Sequence, residues 1–218
     1  MNKKAIILLS GGLDSLVALD IISKECDVVK SLTFDYGQKS AQEEILAAKK
    51  IAKEYNIDNE VIELQFLKEI TNNALTNEAN QNFGELKSVW VPNRNGLFLN
   101  IAACYCDSKD IDFIAFGANK EESGSFSDNR NEYVELTNSS FEYSTLKKPI
   151  VIAPCSNMNK IDLVNYMIDN NIDFDLIKSC YRNEKETNKK HCGECMSCKL
   201  LYNAILNSKK PELIKEVF

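Results

Sequence analysis

Residues 5–15, AIILLSGGLDS, constrain the fold more than any other part of the chain. The apolar run at residues 5–9 is typical of a strand that is buried on both faces, and residues 13–23 have the apolar spacing of a helix. The adjacent glycines Gly11 and Gly12 allow the backbone to approach a ligand, and the unpaired N–H groups at the helix start attract an anion. The pattern predicts a phosphate-binding loop, although a tight turn without a ligand would have the same local sequence.

Asp14 is the unexpected member of this loop, because a carboxylate repels phosphate. Its presence is explained if Asp14 holds a metal ion that phosphate also binds, which predicts Mg²⁺. Ser10 and Ser15 add hydroxyl donors for the anion. The loop lacks the Gly-Lys-Ser/Thr ending of a Walker motif, and it differs from the Gly-x-Gly-x-x-Gly loop of dinucleotide-binding folds.

Strand and helix patterns alternate along the chain, which predicts a doubly wound α/β fold with a mostly parallel five-stranded sheet. The expected strands are residues 5–9, 28–34, 61–64, 112–116 and 150–154. Residues 58–60 are expected to form a turn, residues 97–106 an apolar helix, and Asn159 the cap of a helix that begins at Lys160. Ligands of such sheets bind beyond the carboxyl ends of the strands, so the loops at those ends are the candidate site.

Several polar features lie near these strand ends or on the helices between them. Residues 68–86 have no clear period and predict a long insertion or a mobile lid, and residues 120–131 are too polar for the core. Lys160 lies in the first turn of its helix, where a cation opposes the helix dipole, so either an anion binds nearby or the lysine is solvated. Glu43 and Glu44 are expected on the solvent-facing side of the second helix.

The composition limits the partners of the chain. A formal net charge of −6 and a pI of about 5.0 argue against a general nucleic-acid surface, so no nucleic-acid partner is expected. No apolar run approaches the roughly 20 residues of a membrane span, and the run near the N-terminus is too short for a signal peptide. We therefore expect a cytoplasmic protein with no membrane partner, in which disulfides would be rare.

Four of the eight cysteines form a C-x11-C-x2-C-x2-C pattern at Cys180, Cys192, Cys195 and Cys198. A Cys-x-x-Cys turn places two thiolates on one metal ion, and four such ligands predict a closed, structural zinc site. An iron–sulfur cluster is the alternative occupant, and a thioredoxin-type redox pair is the weaker one. The neighbouring His191 is expected at the surface. The remaining cysteines are expected in the core: Cys26, Cys104, Cys106 and Cys155.

Taken in order along the chain, these motifs resemble the 7-cyano-7-deazaguanine synthase (QueC-type) family of PP-loop ATP pyrophosphatases, which act in queuosine biosynthesis. The resemblance covers nearly the whole length, and the combination is more specific than any single motif. The matching segments are SGGLDS at 10–15, FDYGQ at 34–38, VPNRN at 91–95 followed by LFL at 97–99, Lys160, SCY at 179–181, and CGECMSC at 192–198.

The resemblance implies the adenine nucleotide α-hydrolase-like fold of the PP-loop enzymes. Residues 1–176 would form the PP-loop ATP-binding α/β domain, and residues 177–218 a zinc-binding C-terminal helical region. ATP with Mg²⁺ would be a substrate, one Zn²⁺ would be structural, and the protein would form a homodimer.

The implied reaction converts 7-carboxy-7-deazaguanine and ammonia to 7-cyano-7-deazaguanine with ATP, as in an AMP-forming carbon–nitrogen ligase. A carboxylate is a poor electrophile because its leaving group would be oxide, and adenylation supplies AMP instead. Ammonia then gives an amide, and a second adenylation on the amide oxygen permits dehydration to the nitrile. Since 218 residues leave no room for a glutaminase domain, free ammonia is the expected nitrogen donor.

Individual residues take their expected roles from the matching motifs. The loop that would bind the nucleotide consists of Leu9, Ser10, Gly11, Gly12, Leu13, Asp14 and Ser15. The expected catalytic residues are Asp14, Arg94 and Lys160, of which the two cations would stabilise charge on the phosphates. The expected substrate contacts are Gln38, Asn93, Glu122, Asp128 and Arg130. The ring of Trp90 or Phe126 would stack on the deazapurine, with a place in the core as the alternative for each ring.

Two loops depart from the family pattern and keep other functions open. Residues 122–130, ESGSFSDNR, replace a DYSGYPDCR stretch, and Lys39-Ser40 replaces Arg-His. One alternative is a related ligase that stops at the amide or attaches a deazapurine to another acceptor. Another is a tRNA sulfur-transfer enzyme with a cysteine-bound cluster, which the acidic pI disfavours. A third is a non-catalytic, zinc-stabilised nucleotide sensor.

Overall fold

A computed structural model describes residues 3–77, 79–80, 82 and 86–218 of the chain. Within these residues, five parallel strands form one sheet in the order β3-β2-β1-β4-β5. The strands are β1 (Lys4–Leu8), β2 (Asp27–Asp35), β3 (Asp58–Glu63), β4 (Phe113–Ala115) and β5 (Ile150–Ile152). The chain passes from β1 outward to β3 and then crosses to β4, so the switch in strand order lies beside β1. Open α/β sheets bind ligands at this position.

Helices cover both faces of the sheet. They are α1 (Leu13–Ser23), α2 (Ala41–Glu54), α3 (Phe66–Ile70), α4 (Leu86–Val89), α5 (Arg94–Lys109), α6 (Lys120–Ser123), α7 (Asn131–Ser144), α8 (Lys160–Asp169), α9 (Glu184–Thr187), α10 (Met196–Leu206) and α11 (Ile214–Val217). Side chains of β1 alternate between the faces, so Ile7 packs with α1, α2, α8 and α10, and Ile6 packs with α5 and α7. The doubly wound α/β prediction is confirmed.

The third strand begins earlier than the sequence indicates. Residues 58–60, expected to be a turn, pair with β2 as the first half of β3. Lys30 of β2 reaches the carboxylates of Asp58 at 2.7 Å and of Glu60 at 2.9 Å. These cross-strand ion pairs allow acidic residues in an edge strand, which the low β-propensity of Asp and Asn had argued against.

The segment expected to be a long insertion or lid is partly described, and residues 78, 81 and 83–85 lie outside the described residues. Asn73 is buried, and its Nδ2 donates to the carbonyl of Trp90 at 2.9 Å. Lys39 Nζ donates to the carbonyl of Asn80 at 2.8 Å, and its backbone N–H donates to Leu75. The described part of this segment is thus bonded to the loops that follow β2 and precede α5.

The C-terminal residues share the main core. Leu201, Ala204 and Ile205 of α10 are buried with residues of α1 and α8. The boundary at residue 176 therefore stays a prediction, since both sides of it contribute to one hydrophobic cluster. Across the described ranges, no helix combines the length and apolar character needed to cross a membrane.

We predict that Gly117→Ala destabilises the fold. A Cβ at Gly117 would lie 2.7 Å from the backbone carbon of Asp14 and from the backbone nitrogen of Ser15, and neither atom can move without displacing α1. We expect a loss of about 1–3 kcal/mol in the free energy of unfolding, measured by urea denaturation. Gly124→Ala is the matched control, because its nearest neighbour would lie at 3.4 Å. Equal stability of the two variants would contradict the close packing of the backbone at Gly117, just after β4, against the start of α1.

Candidate active site and cysteine cluster

A cavity of about 260 Å³ lies at the carboxyl ends of the strands and collects most of the predicted site residues. Its lining includes Leu9, Ser10, Gly12, Asp14, Ser15, Gln38, Arg94, Glu122, Asp128 and Lys160. Four predicted residues lie outside the described lining: Gly11, Leu13, Asn93 and Arg130. Leu13 is buried in the core, and Arg130 donates through Nε to the carbonyl of Ser123 at 2.9 Å.

The loop after β1 has the shape of an anion site. Gly11 has a φ of +82°, a conformation that favours glycine, and its carbonyl accepts a hydrogen bond from the N–H of Lys178 at 2.7 Å. Ser15 Oγ donates a hydrogen bond to the carbonyl of Gly12 at 3.0 Å. Ser10 Oγ lies 3.2 Å from Ser15 Oγ. In the described structure no side chain caps α1, so N–H groups of its first turn are available to a ligand.

Lys160 holds two carboxylates beside this loop. Its Nζ lies 2.6 Å from Asp14 Oδ2 and 2.9 Å from Glu122 Oε1, and its side chain is only 9% exposed. Asn119 Nδ2 donates to Asp14 Oδ1 at 2.9 Å, and Asn119 Oδ1 accepts from the N–H of Glu122 at 3.0 Å. The alternative of a solvated Lys160 is wrong, because its ammonium is buried against the protein's own carboxylates, and a bound anion at this position stays a prediction. The cap at Asn159 is confirmed, with Asp162 completing a capping box.

Burial and charge pull the pKa values of this cluster in opposite directions. Burial lowers the pKa of Lys160, but the carboxylates of Asp14 and Glu122 outweigh it and hold the pKa above its usual value. Burial raises the pKa of Asp14, and Lys160 opposes the rise only in part. Burial also acts to raise the pKa of Glu122, but Lys160, Asn119 and Arg94 together outweigh it, so the pKa of Glu122 is lowered. Lys160 therefore stays charged, and its single ammonium interacts with both carboxylates.

Arg94 supplies a second cation to the lining of the cavity. It is the first residue of α5, and its Nη1 donates to the hydroxyl of Tyr36 at 3.0 Å. Its guanidinium also lies 5.4 Å from the centre of the Tyr36 ring. Burial raises the pKa of Asp128, and the charge of Arg94 opposes this rise. Arg94 and Lys160 both start helices, so their charges add to the helix dipoles and favour an anionic ligand.

Glu44 and Lys178 line the cavity, although the sequence does not predict either of them as a site residue. Glu44, expected to face solvent, lines the cavity, where its carboxylate accepts from Ser40 Oγ at 2.5 Å and from Gln38 Nε2 at 2.9 Å. Burial raises the pKa of Glu44. The missed signal is its helical spacing, four residues before the buried Ala48. Lys178 also lines the cavity and is 3% exposed, and its sequence context gives no hint of this.

Gln38 lines the cavity, but its side-chain amide forms hydrogen bonds with other groups of the protein. Its Oε1 accepts from the N–H of Tyr36 at 3.0 Å, and its Nε2 donates to the carbonyl of Phe34 at 3.1 Å and to Glu44. The side-chain N–H groups of Gln38 therefore donate hydrogen bonds to β2 and to α2, on either side of the loop that joins them. Gln38 holds that loop in shape, and its expected contact with substrate stays a prediction.

The four clustered cysteines can hold a metal ion. Their Sγ atoms all lie within 4.8 Å of one another, and Cys192 Sγ lies 3.9 Å from Cys198 Sγ. Sulfur atoms at the corners of a tetrahedron with metal–sulfur bonds of about 2.3 Å are separated by about 3.8 Å. Cys192 Sγ accepts from the N–H of Glu194 at 3.4 Å and of Cys195 at 3.3 Å, and such bonds favour thiolate. The donor set fits a tetrahedral, sulfur-ligated ion.

His191, expected at the surface, is buried. Its Nε2 accepts from the N–H of Ser179 at 3.2 Å, so the proton is on Nδ1, which faces the carbonyl of Val217 at 3.1 Å. Burial lowers the pKa of His191 and keeps the ring neutral. The ring satisfies two backbone groups that would otherwise be buried without partners, which a surface histidine would not do.

A parallel sheet with a Ser-Gly-Gly loop at the switch point and a C-terminal cysteine cluster defines a PP-loop type α/β protein. NMN synthetase from Francisella tularensis has a similar fold, with a TM-score of 0.51 and 17% identity over 94% of this chain and 83% of that one. The family model described as "Queuosine biosynthesis protein QueC" matches residues 4–208. The chain belongs to this family.

Relatives named 7-cyano-7-deazaguanine synthase agree with this assignment. The protein of Pelotomaculum thermopropionicum is 42% identical over 211 residues, which cover 89% of this chain and 93% of the relative. The protein of Carboxydothermus hydrogenoformans is 42% identical over 214 residues, which cover 93% of this chain and 98% of the relative. These similarities confirm the family resemblance recognised in the sequence motifs.

We predict that Cys198→Ala abolishes metal binding at the cluster. Removing one of four ligands leaves an incomplete shell around the ion. Elemental analysis should find one metal ion per chain in the wild type and a small fraction of that in the variant. Cys104→Ala is the control, because Cys104, although expected in the core, is exposed and lies outside the cluster. Full metal content in Cys198→Ala would show that the cluster is not the site.

We predict that Lys160→Met destabilises the protein more at high pH than at low pH. Without the lysine, the partly buried carboxylates of Asp14 and Glu122 lose the cation that contacts them both, so their folded-state pKa values rise above the unfolded values. Stability is then retained at low pH and lost as the pH rises through the raised values. Relative to the wild type, we expect a loss on the order of 3 kcal/mol near pH 8 and a smaller loss near pH 5.

The measurement is urea denaturation of both proteins at the two pH values. Lys120→Met is the matched control, because Lys120 is an exposed residue at the start of α6 and takes no part in the cluster. A loss that does not depend on pH would mean that Lys160 does not compensate the two carboxylates.

Proposed function

We propose that the protein is an enzyme that converts 7-carboxy-7-deazaguanine and ammonia to 7-cyano-7-deazaguanine with ATP. The observation that carries the proposal is Lys160 held between Asp14 and Glu122 beside the open loop after β1. A cation, two carboxylates and free helix N–H groups in one cavity suit a nucleotide triphosphate with its metal ion. The names of the relatives supply the substrate class.

We infer that Asp14 and Glu122 would hold Mg²⁺ when ATP is bound. Both carboxylates face one lysine, and hard oxygen ligands together with substrate phosphates are what this ion prefers. The ion would neutralise charge on the phosphates of ATP. Lys160 and Arg94 would then act on the same phosphates from the starts of α8 and α5.

The reaction follows from the chemistry of the carboxylate. Its oxygen attacks the α-phosphate of ATP, which releases pyrophosphate and forms an acyl adenylate. Ammonia displaces AMP and loses a proton, which leaves the amide. A second ATP adenylates the amide oxygen with release of pyrophosphate and of one amide proton, and loss of AMP and the remaining N–H proton gives the nitrile. Stabilisation of the charge that grows on the phosphates is the task of Arg94 and Lys160.

We propose that the cysteine cluster holds one Zn²⁺ with a structural role. A site closed by four thiolates has no open position for a substrate. The chain from Cys180 leads back within two residues to Lys178 and Ser179, which line the cavity. Zinc would therefore brace one wall of the cavity. An iron–sulfur cluster would instead give visible absorption and equivalents of iron in the elemental analysis.

The family resemblance further leads us to propose a cytoplasmic homodimer that binds only small molecules. The acidic net charge supports the absence of a nucleic-acid partner.

A mass-resolved assay tests the proposed reaction. Purified protein with ATP, Mg²⁺, ammonium and 7-carboxy-7-deazaguanine should form the nitrile, with about two AMP released for each nitrile by the chemistry above. Asp14→Asn is the matched inactive variant, because it removes the carboxylate charge at nearly constant shape, and we expect at least about a 100-fold lower rate.

The other products of this assay identify the alternatives. Amide as the final product, with one AMP each, would assign the protein to a ligase that stops at the amide. ATP binding without AMP release would identify a nucleotide sensor. Full activity of Asp14→Asn would remove Asp14 from the chemistry.

A further inference from the structure

Two aromatic side chains, of which the sequence predicts one as a stacking partner for the deazapurine, lie against each other in the cavity. The rings of Trp90 and Phe126 are nearly parallel, with planes 9° apart and centroids 5.9 Å apart. They belong to different loops, one before α5 and one after α6, and both line the cavity while remaining partly exposed. Apolar ring surface facing an open cavity gains free energy when a flat apolar ligand covers it.

We propose that the Trp90–Phe126 pair is the stacking platform for the ring system of the deazapurine, with Asp128 accepting hydrogen bonds from the donor edge of that ring. This inference rests on the proposed function and names the part of the cavity that recognises the substrate. The nucleotide would then occupy the loop after β1, at the opposite side of the same cavity.

The neighbouring carboxylate distinguishes the deazapurine from the adenine of ATP. Asp128 lies two residues after Phe126, in a short 3-10 turn at Ser127–Asn129, and also lines the cavity. An ionised carboxylate only accepts hydrogen bonds. The guanine-like edge of a deazaguanine presents adjacent N–H donors, whereas the corresponding edge of adenine presents one donor and one acceptor. The pairing of ring and carboxylate therefore fits the deazaguanine.

Hydrogen bonds fix the backbone at both residues that carry the rings. Asn73 Nδ2 donates to the carbonyl of Trp90 at 2.9 Å, and Asn73 Oδ1 accepts from the N–H of Leu75 at 2.8 Å. The N–H of Phe126 donates to the carbonyl of Glu122 at 2.7 Å. A platform ordered in advance costs little conformational entropy on binding. The bond between Phe126 and Glu122 also joins the platform to the lysine cluster, because the side chain of Glu122 contacts Lys160.

The present spacing of the rings sets the binding mode. Optimal carbon–carbon contact distances are about 3.5–4.0 Å, so a ring between two others needs about 7–8 Å between the outer planes. The centroids of Trp90 and Phe126 are 5.9 Å apart, which is too close for insertion. The substrate ring therefore stacks on the cavity-facing side of the pair.

The chain contains one tryptophan, so the platform carries its own optical probe. We predict that 7-carboxy-7-deazaguanine, added without ATP or Mg²⁺, changes the fluorescence of Trp90 in a saturable manner. Loss of a stacked ring by alanine substitution weakens binding of a base by about 5-fold to 100-fold. We expect a weakening of that size in Phe126→Ala and in Phe126→Leu, which keeps an apolar side chain. Phe126→Tyr should bind as the wild type does.

The matched control is Tyr143→Ala, since Tyr143 is an aromatic residue that is 94% exposed on α7. Calorimetric titration of the same variants with ATP should show unchanged ATP affinity. A fluorescence change with ATP alone and none with the deazapurine would overturn the inference and place adenine on the platform.

The binding data also separate this inference from the proposed function. If the wild type forms the nitrile while Phe126→Ala and Phe126→Leu keep full deazapurine affinity, the platform is wrong and the function stands. If the wild type binds the deazapurine through the platform without making nitrile or amide, the reaction is wrong and the platform stands. If calorimetry detects no deazapurine binding to the wild type, both are wrong.

Discussion

The ion cluster of Lys160, Asp14 and Glu122 is the interaction on which the rest of the site depends. Its members follow β5, β1 and β4, three strands that are neighbours in the sheet, so the cluster joins the loops at their carboxyl ends. Holding two partly buried carboxylates against one ammonium leaves negative charge without a partner, which costs free energy unless a further cation binds. A ligand that brings a cation and takes the lysine as a partner for its own negative charge relieves that cost. The charges of this cluster therefore suit the metal-bound phosphate that we propose as its ligand.

Three cations line the cavity together with four carboxylates, which are those of Asp14, Glu44, Glu122 and Asp128. The chain is acidic, with a net charge of −6, yet Arg94 and Lys160 both begin helices that point at the cavity, and Lys178 lines it. Helix dipoles act within about one turn, and exposed charges are screened beyond about 10 Å. A small anion at the start of α5 or α8 is therefore close to a cation, and a metal ion bound with it would offset the carboxylates, whereas a long polyanion would meet the acidic exterior.

The C-terminal region takes part in the site although its cysteines lie outside the cavity. The N–H of Lys178 bonds to Gly11, which has the left-handed conformation in the loop after β1. The N–H of the next residue, Ser179, bonds to the buried His191, whose other nitrogen reaches the carbonyl of Val217. These bonds connect the end of the chain to its first loop. Metal bound at the cysteines would order this connection from the other side.

The sequence by itself determined the features that depend on neighbouring residues: the buried strand before Gly11, the cap at Asn159, and the spacing of Cys192, Cys195 and Cys198. Periodicity, capping and ligand spacing are local, so a single sequence carries them. Only the tertiary structure decided the pairing of Lys160 with Asp14, because 146 residues separate them. It also turned Glu44 toward the cavity and buried His191. Those placements depend on partners that only the folded chain brings into contact, and no local pattern records them.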